Sequence, residues 1–105
     1  MTASTALRVL GDPSRRAILD LLRDGERPVG ELVEQLRQSQ PAVSKNLRIL
    51  RDAGLVGVRP LGQRRLYHVK TEPLVELDEW LSTYRQLWTT SLNRLEEHLN
   101  KRRPS

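Results

Sequence analysis

The stretch from Ser39 to Val56, SQPAVSKNLRILRDAGLV, constrains the fold more than any other part of the sequence. Val43, Leu47 and Leu50 recur at spacings of four and three, with Ala53 next in line, which is the period of a helix that buries one face. Ser39 is a good N-cap, and Pro41 falls in the first turn, where a missing N–H costs nothing. Gly54 directly follows the last periodic residue and reads as a stop. The opposite face carries Gln40, Ser44, Lys45, Arg48 and Arg51, with no acid before Asp52. Most amphipathic helices simply turn such a face to water. A short helix with a basic, amide- and hydroxyl-bearing face also suits the DNA major groove, where Arg and Lys pair with guanine, Gln with adenine and Ser with several base edges. The sequence on either side decides between the two.

The positive charge is concentrated. Formal net charge is +5, yet Arg37 to Lys70 holds eight basic residues against the single acid Asp52, a net of +7 that leaves −2 for the rest. That placement is the footprint expected of a nucleic-acid partner. An anionic membrane surface would instead want a basic amphipathic helix with large apolar residues exposed, which this segment does not offer. No run of eighteen apolar residues exists to span a bilayer. The first residues, MTASTALRVLGD, lack the basic and apolar regions of a secretion signal, so the expected location is cytoplasmic, on the nucleoid. Cysteine is absent, which leaves no disulfide, thiol redox chemistry or thiolate metal site.

The 105 residues read as a single domain, 1–105. Thr2 to Leu10 is a short helix that must dock to be stable. Asp12 caps the next helix and Pro13 starts it, with Ala17, Ile18, Leu21 and Leu22 as its core stripe. Arg15 and Arg16 near its start read as solvated charges. Glu26 to Gly30 reads as a connector in which Arg27-Pro28-Val29 can add a short edge strand, and Glu31 to Arg37 as a compact helix facing Leu32, Val33 and Leu36 inward. Gln38-Ser39 leaves only a tight turn before the basic helix. Two helices so joined, the second basic outward, make a helix-turn-helix, whose second helix enters the groove by its N-terminal end. From Leu55 the period changes. Val56 and Val58 alternate with smaller residues, Pro60-Leu61-Gly62-Gln63 supplies turn chemistry, and Leu66-Tyr67-His68-Val69 follows as a second β-rich run. A hairpin placed there is a wing, and its Arg59, Arg64 and Arg65 would reach phosphates or a narrow minor groove. The same charges would also guard a strand edge against aggregation.

A long helix is predicted from about residue 72 to 101, and about 28 residues of it would reach roughly 42 Å at about 1.5 Å per residue. Its apolar residues Leu74, Leu77, Leu81, Tyr84, Trp88, Leu92, Leu95 and Leu99 follow spacings of 3, 4, 3, 4, 4, 3 and 4, close to a heptad seam. Apolar content is only 37%, low for a chain that closes its own core, and the helix outreaches so small a domain. Pairing with the same helix of a second copy, with Leu7 of the N-terminal helix packed alongside, satisfies both. The space between such terminal helices, near Trp80, Tyr84 and Trp88, is where an unidentified small-molecule effector would bind.

Taken in order, the short helix, DPSRRAILDLL, GELVEQL, SQPAVSKNLRILRDAGLV, RPLGQRRLYHV and the long terminal helix resemble the ArsR/SmtB family of winged-helix repressors. The resemblance covers about Leu7 to Leu99. It implies a mainly α fold with a small β wing and a homodimer built on the first and last helices. It implies binding to an inverted-repeat operator in double-stranded DNA. By position, Ser39, Gln40, Ser44, Lys45 and Arg48 would be the DNA readers, with Arg64 and Arg65 in the wing. Thiol-sensing members carry Cys-x-Cys where this chain has Pro28 and Gly30. Zinc-binding members place Asp-x-His and His-x-x-Glu on the terminal helix. Here Asp78 is followed by Trp80, and His98 sits near the helix end. Zinc wants three or four grouped ligands, so the chain resembles a branch without a metal site or cofactor. No nucleophile triad, phosphate loop or paired inward carboxylates is present, which argues against an enzyme. The rival reading is a winged helix that docks an acidic protein.

Overall fold

A computed structural model of the protein describes residues 3–102. Thr2, where the sequence starts the first helix, lies outside the described residues, as do residues 103–105. The order is α1 (Ala3–Leu10), α2 (Pro13–Leu22), α3 (Val29–Leu36), α4 (Gln40–Asp52), β1 (Val56–Leu61), β2 (Arg64–Val69) and α5 (Glu72–Arg102). This is a winged helix-turn-helix, with α3 and α4 as the helix pair and β1–β2 as the wing.

Local chemistry sets the helix boundaries. Asp12, in extended conformation, accepts the Ser14 N–H at 2.8 Å, with Pro13 next in line. Ser39 caps α4 by accepting the Ala42 N–H at 3.3 Å. Gly54, with φ 73°, turns the chain out of α4. Between α3 and α4 the turn is so tight that Arg37 takes the left-handed region at φ 55°, where its N–H still closes α3 onto the Val33 carbonyl. Such a conformation costs a non-glycine residue about 1–2 kcal/mol.

The core is one cluster. Val43, Leu47 and Leu50 of α4 and its C-cap Ala53 meet Ile18 and Leu22 of α2, Leu32 of α3, Val9 of α1, and Leu55 and Val56 leading into the wing. Every residue of the predicted α4 stripe is buried. Burying side chains of this size stabilises by about 1.5–3 kcal/mol each, far more than any single surface contact. The sequence reading of Arg27-Pro28-Val29 as a strand is corrected. α3 begins at Val29, because Pro28 at φ −75° and ψ 160° acts as its N-cap. Of the three residues Arg27 forms the one strand-like pairing, an isolated bridge to Tyr67.

The hairpin register pairs Val56 with Val69 and Leu61 with Arg64. The predicted four-residue turn shrinks to Gly62-Gln63, and Pro60 and Leu61 belong to β1. Gly62 has φ 63° while Gln63 does not share the left-handed region, the pattern of a type II′ turn. Pro60 is tolerated for a reason that the ladder supplies. The Lys70 N–H donates to the Leu55 carbonyl at 2.9 Å, so odd-numbered β1 positions exchange the bonds with β2 and even-numbered ones point outward. Pro60 therefore lacks a donor only on the outer edge. By the same alternation Tyr67 points away from β1. It exchanges backbone bonds with Arg27 instead, at 2.9 and 3.1 Å.

α5 runs for 31 residues, about 46 Å at the usual rise, and stretches the molecule to 65 Å in its longest dimension. α1 packs against it. Leu74 rests partly on the chain's own core, and beyond Leu77 the side chains of the helix are exposed through Lys101.

Candidate nucleic-acid interface

The α4 stripe that faces the core fixes what faces out. With Val43, Leu47 and Leu50 buried, Gln40, Ser44, Lys45, Arg48 and Arg51 are left exposed. Among the described residues none of these cations has an acidic partner within ion-pair distance. Ser39 is exposed at the tip, its oxygen engaged by the Ala42 N–H and its own O–H left to donate. The arrangement is a helix end with a hydroxyl, an amide and three cations along one side, able to donate to base edges and phosphates.

The wing contributes Arg64 and Arg65, both exposed and without an acidic partner among the described residues. Arg59, expected to face phosphates with them, is corrected. Its Nε donates to Glu26 Oε2 at 2.6 Å and its Nη2 to Glu26 Oε1 at 2.8 Å, so this guanidinium is committed to the α2–α3 connector. That bond, first, and the neighbouring Arg59 and His68 charges hold the Glu26 carboxyl below its usual range.

Two small grooves join α4 to the wing. One, of about 320 Å³, lies between Ser44, Arg48, Arg51 and Tyr67. The other, of about 290 Å³, lies between Arg51, Pro60 and Arg65. Arg51 borders both, so it belongs with the candidate site although the family positions did not include it. The signal was available: it lies one helical turn beyond Arg48 on the same basic face.

At the start of α2 the two arginines are engaged locally. Arg16 donates to the Leu10 carbonyl at 2.7 Å and Arg15 to Asp12 at 3.4 Å. The Ser14 N–H, first, together with Arg15, holds the Asp12 carboxyl below its usual range. Gln38 of the α3–α4 turn reaches Ser14 Oγ at 3.5 Å, linking the turn to α2.

The residues assigned to a shared interface divide. Leu74 and Leu77 are half-buried within the chain. Leu7, Leu81, Tyr84, Trp88 and Leu92 are 39% to 66% exposed. Trp80 and Tyr84 touch at a ring-centroid distance of 5.1 Å on this open face. The aromatic trio lies open to solvent within one chain. A cavity of about 550 Å³ lies elsewhere, walled by Leu10, Leu19, Val69 and Leu74 with Arg16 and Arg23 at its rim. Among the described residues no three His, Asp or Glu side chains group closely enough to hold a metal ion.

The sequence profile described as bacterial regulatory protein, arsR family, matches residues 12–58, from the α2 cap into β1. The chain is 41% identical over 87 residues to the HTH-type transcriptional regulator Rv2034 of Mycobacterium tuberculosis, covering 83% of this chain and 78% of the relative. It is 31% identical over 81 residues to the transcriptional repressor SdpR of Bacillus subtilis, covering 77% and 90%. Among solved structures, the ArsR-like transcriptional regulator from Rhodococcus sp. RHA1 superposes with a TM-score of 0.72 over 90% of each chain, at 23% identity, a likeness of fold.

Proposed function

This chain belongs to the ArsR family of DNA-binding transcription regulators, and from that premise we propose that it is a repressor whose two copies grip an inverted-repeat operator. The observation that carries the reading is the unpaired basic face of α4, exposed from Gln40 to Arg51 beside a wing that offers Arg64 and Arg65. Gln40, Ser44, Lys45 and Arg48 enter the major groove and read base edges. Ser39, Arg51, Arg64 and Arg65 hold the phosphates that set the register. The exposed α5 face and Leu7 form the seam with the second copy, which places the two α4 helices about 34 Å apart along the duplex. Release would follow from an organic effector, for which the cavity beside Leu10 and Leu74 has the size and apolar walls. Named relatives in this family are regulators, and the chain is not an enzyme.

Selection of bound sequences from random duplex DNA tests function and symmetry together. The expected outcome is an inverted repeat whose affinity drops about 10³–10⁵-fold between about 50 and 200 mM salt, as contact with 6–10 phosphates requires. Recovery of no preferred sequence, with equal retention at all salts, would transfer the basic face to the alternative role of docking an acidic protein.

A further inference from the structure

Resting on the DNA-binding reading, we propose that Glu26 is a positioning residue for DNA recognition: its grip on Arg59 sets the wing against α4, so that Arg64 and Arg65 meet the duplex. A two-stranded hairpin is at best marginally stable alone, so its direction must come from what ties it to the body. One tie is the run of chain from α4 into β1, closed by the Lys70–Leu55 bond. A second is the packing of Val56, Tyr67 and Val69 on the core, and a third is the α2–α3 connector. Arg27 exchanges two backbone bonds with Tyr67, and it is itself held by its Nε, which donates to the Leu21 carbonyl at 3.0 Å, and by Glu31 at 3.3 Å. Next to it, Glu26 takes both prongs of the Arg59 guanidinium at 2.6 and 2.8 Å. A parallel two-bond pair fixes an angle as well as a distance. Arg27 thus anchors β2 and Glu26 anchors β1, from adjacent residues of one connector. The imidazole of His68 lies in the same corner, with Nδ1 3.8 Å from Glu26 Oε2. Gly57 makes room for it, since a Cβ there would meet the ring at 2.5 Å.

The proposal predicts a sign opposite to that of simple electrostatics. Glu26→Gln raises the formal net charge from +5 to +6 and frees Arg59 for phosphate. On charge alone such a change strengthens binding to DNA. If Glu26 positions the wing, it weakens operator binding instead, by about threefold to tenfold for a half-exposed bidentate pair. The experiment measures operator affinity and salt slope for the full chain, for Glu26→Gln, Glu26→Ala and Arg59→Gln, for each combined with Arg64→Ala, and for the double variant Glu26→Gln/Arg59→Gln. The expected result is weaker binding for all three, no further loss in Glu26→Gln/Arg59→Gln, and a smaller Arg64→Ala effect in the Glu26 variants. A loss arising only from a less stable protein would leave the Arg64→Ala effect unchanged and would overturn the positioning role. Unchanged or tighter binding in both Glu26 variants would also overturn it, leaving the DNA-binding reading intact as long as the parent chain still selects an operator. A parent chain that selects none fails that reading first.

Discussion

At Ser39 the hydroxyl oxygen takes the Ala42 N–H, so Ser39→Ala should lower stability by about 0.5–2 kcal/mol in urea unfolding, whatever it does to DNA binding. Arg48→Ala should leave stability alone, cost about 1–3 kcal/mol of operator affinity and loosen discrimination at one base pair in a series of operator variants. Glu26 gives a pH dependence with a definite sign. Its carboxyl titrates below the ordinary value of 4.5 because Arg59 donates to the charged form. The pair therefore stabilises in full above that value and is lost as pH falls through the lower, folded one. Thermal unfolding of the parent and Glu26→Gln should differ near neutrality and converge in acid. Individual residues were legible where their role was local. The Asp12 and Ser39 caps and the Gly54 stop each act within three positions of themselves, and the sequence displays them. The commitment of Arg59 to Glu26 spans 33 positions and leaves no periodic trace, so in the sequence Arg59 looked like Arg64 and Arg65.

Among the elements, α2, α4 and α5 were readable because each carries an apolar stripe at helical period. The α4 stripe is buried residue for residue. α3 was drawn two residues short, since Val29-Gly30 follows a proline and a glycine is a poor helix former, yet Pro28 supplies the extended entry that α3 needs. The wing turn was drawn too wide, because Pro60 punctuates a sequence while the direction of its missing N–H depends on register. The division of labour between α4 and the wing is itself testable. Arg64→Ala should weaken all operator variants about equally and reduce the salt slope by about 1, in contrast to the position-specific effect of Arg48→Ala. Isothermal binding series across salt and sequence separate the two patterns.

For the whole molecule, the decisive feature is a helix that runs on past its own domain. From Trp80 onward, α5 presents Leu81, Tyr84, Trp88, Leu92, Leu95 and Leu99 to solvent, a patch far larger than scattered surface residues leave. Replacing Leu81 and Trp88 together by glutamate should give a folded monomer in sedimentation, since neither side chain belongs to the core cluster, and should abolish preference for paired half-sites. A variant that stays dimeric would move the seam off α5. The exposed apolar face of α5 was legible in outline, from its heptad spacing, but Leu74 at its start rests on the chain's own core. Pro60 bears on assembly too. On the open margin of β1 it removes one rung that an incoming strand would need, opposite the exposed Arg65 that repels a like neighbour. Growth by strand addition is thereby opposed at the hairpin, so crowded copies of this protein are steered away from fibrils.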